Sequence, residues 1–377
     1  MCDWAGLQDR VQEKLSELVA SGAETGVQVA AYLHGELIVD AWAGMADPAA
    51  GRPVTPDTPF FSYSAGKGVT AAVVHVLAER GLLDYDLPIA AVWPEFAQHG
   101  KDGVTLRHAL THAAGVPALP AGITPADLTD WDRMCAIVAA SRPLWEPGTT
   151  TGYHAWTFGW LVGEVVRRVT GRPVSQVLAE DVAGPLGVAD QLFFGVPETH
   201  LHRLARLEDR NLPAMLDLLS TQVRNFDLVV PPGVRPGAGL ANRTDILQAD
   251  IPAVATMSAR AAAKMYAALI GEVEGVRLVS PRRLHEMSAV ASKGPDWTWG
   301  QELPKTLGYV SEAGGAMFGW AGYGGSLAGA APRHGLALAA TKNALAMGGA
   351  DPMEDLRALI LESVAEAAPR PSRSEAR

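Results

Sequence analysis

Cysteine is nearly absent from this chain, with only Cys2 and Cys135 among 377 residues. Cys2 is terminal and Cys135 falls in a helical pattern, Trp131 to Ala140, so no disulfide framework is expected. Neither cysteine nor the ten scattered histidines show zinc-site spacing; His200-Leu201-His202 reads as an exposed loop pair, and no metal is expected. Lysine is scarce too, at seven residues, and a formal net charge of -10 without clustered Lys or Arg excludes nucleic acid and anionic membranes as partners. No stretch reaches the roughly 18 apolar residues that would cross a bilayer. The start, Met1-Cys2-Asp3-Trp4, has neither a basic segment nor an apolar signal core, which makes the expected location cytoplasmic. The glycines around Gly324 and Gly325 lack the Gly-Lys-Ser/Thr and βαβ context of a phosphate cradle, so no cofactor is expected.

What is present suits a compact enzyme: 48% hydrophobic and 19% charged content can bury a large core in one interrupted domain or two packed ones. Apolar periodicity predicts a helix over Leu7 to Leu18 and two strands, Val27 to Leu33 and Leu37 to Ala43, around the turn His34-Gly35-Glu36. From Val69 to about Asp250 helical patterns dominate, broken by Pro- and Gly-rich loops. A helix over Ala259 to Ile270, further strands and a helix over Met353 to Ala367 follow. The pattern implies an α/β sheet domain from residues 1–68 and 251–367, a mainly helical domain over 69–250, and a disordered polar tail over 368–377.

One short element carries chemistry. A strand-like run, Thr58 to Tyr63, leads into Ser64-Ala65-Gly66-Lys67, and a helical stripe of Val69, Val73, Val76 and Leu77 follows, closed by Gly81. On a helix, residues three apart share a face, so the Lys67 ammonium would sit beside the Ser64 hydroxyl near the positive end of the helix dipole. That arrangement can make a serine a nucleophile. A capping serine beside a solvated lysine fits these four residues equally well.

Two other segments weigh on that choice. Glu146-Pro147-Gly148 precedes Thr149 to Trp156, with Tyr153 and His154 inside, and then a helix over Phe158 to Val169 closed by Gly171. Further on, Phe318-Gly319-Trp320-Ala321-Gly322-Tyr323-Gly324-Gly325-Ser326 is followed by a strand pattern over Gly335 to Asn343. With these, the chain resembles the serine β-lactamase and penicillin-binding-protein superfamily, on its class C and family VIII carboxylesterase side. Members carry Ser-x-x-Lys, a mid-chain Tyr, and a Lys-Thr-Gly, His-x-Gly or Trp-x-Gly strand near the C-terminus. Leu110 to Pro117 is similar to the family's Leu-Thr-His-x-Ser-Gly turn, and Pro185-Leu186-Gly187 and Gly275 to Pro281 match other habitual stretches.

The resemblance implies a β-lactamase-like fold, α/β plus all-α: an antiparallel sheet flanked by helices, an inserted helical domain, and an active site in the cleft between. It implies Ser64 as nucleophile, Lys67 as its activating amine and Tyr153 as proton shuttle. A free phenol titrates near ~10, so a base at neutral pH would need about 4 kcal/mol from nearby positive charge, which Lys67 could supply. The backbone N–H groups of Ser64 and Tyr323 would form the oxyanion hole, with Gly322 allowing close approach of the substrate. Trp320, Trp156 and His154 are candidate substrate contacts, with Trp297 and Trp299 nearby; core or structural roles stand open for each of them.

Departures from the lactamase pattern bear on substrate. Ala155 replaces the asparagine two positions after the tyrosine, and Trp320 replaces the lysine that pairs with a lactam carboxylate. The reading is therefore a serine carboxylesterase acting on a small-molecule ester. The alternative is an ATP-independent acyltransferase passing the acyl group to an amine or alcohol in antibiotic biosynthesis, as in transacylases of the capuramycin type. A β-lactamase and a non-catalytic binding module are further readings; the second conflicts with the presence of nucleophile, lysine, tyrosine and oxyanion strand together.

Overall fold

The computed structural model describes residues 4–349 and 351–367. Cys2 and the tail at 368–377 lie outside the described residues. One sheet of seven antiparallel strands organises the chain. Numbered in chain order they are β1 (Gly26–Leu33), β2 (Glu36–Asp47), β3 (Arg52–Pro53), β4 (Val310–Glu312), β5 (Met317–Ala321), β6 (Leu327–Ala331) and β7 (Leu336–Lys342). The spatial order is β3-β2-β1-β7-β6-β5-β4, so the first and last parts of the chain meet at β1 and β7, with Val27 opposite Lys342 and Leu33 opposite Leu336.

The two-residue period of a strand decides what each face buries. Val27, Val29 and Ala31 of β1 and Leu336, Leu338 and Ala340 of β7 pack with Leu7, Val11 and Leu15 of helix α1 (Trp4–Ala20) and Met353, Leu356 and Ile360 of helix α5 (Pro352–Ala367). The intervening residues, Ala30, Tyr32, Ala337 and Ala339, join the larger core with helix α4 (Ala259–Ile270). That face is lined with small side chains, and α4 presents Ala261, Ala262, Ala263, Ala267 and Ala268, all buried. Small residues on both surfaces let the helix lie close on the sheet.

Helix α2 (Gly66–Glu79) is buried at every residue from Gly66 to Ala78, so it is a core helix on all sides and not only along the expected stripe. It packs with helix α3 (Thr157–Thr170), which ends as expected at Gly171, φ 69°. No strand of the main sheet comes from residues 54–309, the stretch that contains the predicted helical region. No helix among the described residues is long and apolar enough to cross a membrane.

Two local expectations are corrected. The strand expected over Thr58 to Tyr63 is limited to Phe60–Phe61, which pairs with Thr256–Met257; Pro59 has no N–H to donate, and Tyr63 turns to φ 44°. Ser64 is not on the helix itself but in a 3₁₀ turn, Tyr63–Ala65, that precedes it.

Candidate active site

The turn before α2 is held from both sides. Ser62 N–H donates to the Ala255 carbonyl at 2.8 Å, and the Tyr63 hydroxyl donates to the Gly237 carbonyl at 2.6 Å while accepting from the Gly237 N–H at 2.7 Å. A positive φ at a tyrosine is costly, and this double latch keeps it in place. The result is a Ser64 hydroxyl turned onto the first turn of α2, where Lys67 Nζ donates to Ser64 Oγ at 3.0 Å and to the Ala253 carbonyl at 3.2 Å.

Tyr153 arrives from the loop before α3, its hydroxyl 2.5 Å from Ser64 Oγ. The Gly152 N–H donates to the His112 carbonyl at 3.0 Å and the Tyr153 N–H to Asp296 Oδ1 at 3.1 Å. Sequence spacing of 89 residues thus closes into direct contact. Lys67 Nζ lies 5.0 Å from the centre of the Tyr153 ring and 5.9 Å from that of Trp320.

The charge states differ from the expectation. Lys67 is fully buried with no carboxylate partner among the described residues, and burial pushes its amine well below the usual lysine range. Burial likewise pushes the Tyr153 phenol up; the hydrogen bond with Ser64 opposes this and the Asp296 charge adds to it. The sequence leaves Lys67 open as a cation that lowers Tyr153 or as an amine poised near neutral. The buried site favours a neutral amine and a neutral phenol.

On the opposite wall, Trp320 at the end of β5 donates from Nε1 to the Gly308 carbonyl at 2.6 Å, with its ring 5.7 Å from that of Tyr153. The backbone just beyond it touches the nucleophile's turn, since a Cβ on Gly322 would lie 3.3 Å from Ser64 N. This brings the Ser64 and Tyr323 amides, separated by most of the chain, into one neighbourhood.

Ser64, Tyr153, Trp320, Gly322 and Tyr323 line a cavity of about 340 Å³. Trp299, Leu303, Val310, Leu327 and Met347 form its apolar wall, and Glu312, Asp351 and Glu354 border it. Arg357 pairs with both Glu312 and Glu354 from behind, while Asp351 Oδ1 accepts from the Met353 N–H at 2.9 Å at the start of α5. Among the described residues, no lysine or arginine lines the cavity. Burial, with the charges of Glu312 and Asp351 adding and Arg357 opposing, raises the Glu354 carboxyl.

Not every candidate reaches the cavity. His154 is wholly buried, accepts the Val116 N–H at Nε2 (3.2 Å) and so donates from Nδ1 to the Gly152 carbonyl (2.6 Å), which makes it a strut of the Tyr153 loop in place of a substrate contact. Trp156 lies in a separate small recess with Ser64, Ala155 and Tyr323. Trp297 packs on Trp145 at 5.2 Å, whereas Trp299 faces the cavity. Sequence reasoning passed over the three carboxylates, Met347, and the buried pair Asp296 and Lys305. They sit in irregular segments or at element ends, where no period or motif marks them.

The sheet sandwiched by helices, with serine, lysine and tyrosine converging at one cleft, defines an enzyme of the serine-hydrolase and acyltransferase superfamily. The chain belongs to the Beta-lactamase family, whose pattern it matches over residues 11–362. It is 36% identical over 334 residues to the esterase/beta-lactamase LipL of Mycobacterium tuberculosis, covering 85% of this chain and 77% of that protein. A crystal structure of a family VIII carboxylesterase superposes with TM-score 0.87 at 31% identity, covering 96% of this chain and 98% of the other. EstA from Arthrobacter nitroguajacolicus superposes with TM-score 0.85 at 25% identity, over 96% and 97% of the two chains.

Proposed function

We propose that the protein is a carboxylesterase that hydrolyses small esters through an acyl-enzyme at Ser64. The observation that carries this reading is the three-way contact of Ser64 Oγ with the Lys67 amine and the Tyr153 hydroxyl at the floor of an aromatic cavity. The esterase activity in the names of its relatives LipL and the family VIII carboxylesterase supports it.

In the proposed reaction the neutral Lys67 amine takes the Ser64 proton as Oγ attacks the ester carbonyl. The developing oxyanion is held by the Ser64 and Tyr323 N–H groups. Tyr153, kept protonated by burial, donates to the departing alkoxide and is reprotonated from Lys67. Water then enters by the reverse sequence and frees Ser64.

The same cavity supports a preference in substrate charge. Three carboxylates against one guanidinium, and Trp320 where a lysine would grip a carboxylate, favour neutral or cationic esters over anionic ones. A cytoplasmic location belongs to this reading as well, in keeping with the scarcity of cysteine in the sequence.

The test is a matched set of p-nitrophenyl esters whose acyl chains end in a methyl, a trimethylammonium or a carboxylate group, assayed with and without added amines and alcohols. Hydrolysis with the anionic ester poorest supports the proposal. Product diverted mainly to an amine or alcohol would make the protein an acyltransferase, and preference for the anionic ester would overturn the charge argument.

A further inference from the structure

The loop bearing Tyr153 does not stand alone. It is tied to a second loop, residues 294–305, which carries Trp299 into the cavity. At their junction Asp296 and Lys305, both with wholly buried side chains, form an ion pair of 2.9 Å. Asp296 Oδ1 accepts three backbone N–H groups, from Tyr153 at 3.1 Å, Thr298 at 2.9 Å and Trp299 at 3.2 Å. Lys305 spends its other donors on Thr151 Oγ1 at 3.1 Å and the Leu303 carbonyl at 3.2 Å. Trp297 N–H closes the junction onto the Thr151 carbonyl at 2.8 Å.

An apolar pair could fill this space without the desolvation that two buried charges incur. Only a carboxylate, however, can accept amides from both loops at one oxygen while its other oxygen holds a cation bonded back to the first loop. We propose that Asp296 and Lys305 are positioning residues for catalysis, setting Tyr153 against Ser64 and Trp299 against the substrate through one shared buried ion pair. This rests on the acyl-enzyme reading above. It extends that reading to two residues that touch neither the nucleophile nor the cavity.

The pair also acts on Tyr153 through charge. The groups around that phenol are the Ser64 hydroxyl, Lys67, the buried imidazole of His112, Trp299 and Trp320, with Tyr323, Asp296 and Lys305 beyond. Of these, Asp296 is the anion that favours the protonated phenol. Its charge adds to the larger effect of burial, which keeps the phenol protonated.

The experiment compares Asp296→Asn, and Asp296→Asn combined with Lys305→Met, with the unaltered protein. The double variant carries no buried charge to penalise folding. Thermal unfolding confirms each fold, a fluorophosphonate reports Ser64 labelling, and kcat and KM are measured on p-nitrophenyl acetate. Expected is a fall in kcat of about tenfold to a hundredfold with KM little changed. Folded variants with kcat within about twofold of the original would overturn the proposal. So would a rise in KM that matches or exceeds any fall in kcat, which would leave the pair a general structural clamp. Absence of Ser64 labelling in the unaltered protein would instead sink the acyl-enzyme reading.

Discussion

Gly322 and Ser62 approach so closely that a Cβ on the glycine would lie 2.1 Å from the Ser62 carbonyl oxygen. No side chain can be placed there without moving the backbone of either β5's end or the nucleophile's turn. Gly322→Ala is therefore expected to cut kcat/KM at least about a hundredfold by separating the Ser64 and Tyr323 amides. Steady-state kinetics alongside a thermal melt checks this. Near-original turnover would mean that the end of β5 does not shape the oxyanion site.

Lys67 is expected to act as an unprotonated amine, because burial without a counter-ion holds it well below the ordinary lysine range. A base works when its proton is absent, so kcat/KM should rise with pH through the Lys67 titration and level off at a pH well short of where lysines usually titrate. A pH–rate profile still climbing at about pH 10 would contradict this. Lys67→Arg, permanently charged, should lose about a hundredfold or more in rate.

Tyr153→Phe should fold normally and lose about a hundredfold in rate, the usual scale for a proton-transfer group. Purified variant and original are compared on one ester at saturating concentration. Unchanged kcat would leave proton delivery to Lys67 or water.

Acid should unfold the protein from well above the carboxylate range. Burial pushes His75 down to about 3 and His154 down to about 4, from an ordinary 6.5, and holds His112 well below its ordinary value. A base whose folded pKa is depressed binds its proton more readily in the unfolded chain, so stability is fully present above about 6.5 and declines as pH falls toward 4. Thermal midpoints measured between pH 8 and 4 should drop across that window, and His75→Gln should flatten the slope. A flat profile down to pH 5 would contradict the assignment of these rings as buried and neutral.

Much of this was legible in the sequence because it was local. The helix over Ala259–Ile270 and the one over Trp131–Ala140 occur with the expected bounds, and the first hairpin falls around the expected turn. Ser64, Lys67 and Tyr153 could be named because their spacing and surroundings are motif-like. Their charge states could not, since these depend on burial that folding creates: Lys67 loses water on every side, and no carboxylate among the described residues comes near enough to restore its proton. Asp296 and Lys305 escaped for a related reason. They lie nine residues apart in an irregular loop, and their partners, Thr151 and Tyr153, arrive from elsewhere in the chain. His154 stands open in the sequence as a substrate contact or a packed histidine; its ring, bonded to Val116 and Gly152, takes the packed place.

The central claim is a covalent acyl group on Ser64, and intact-mass measurement tests it directly. After brief exposure to a p-nitrophenyl ester and acid quench, the protein should gain the mass of one acyl group, located on the peptide containing Ser64, and Ser64→Ala should gain none. An equal adduct on Ser64→Ala, or ester turnover that survives that substitution, would contradict the account.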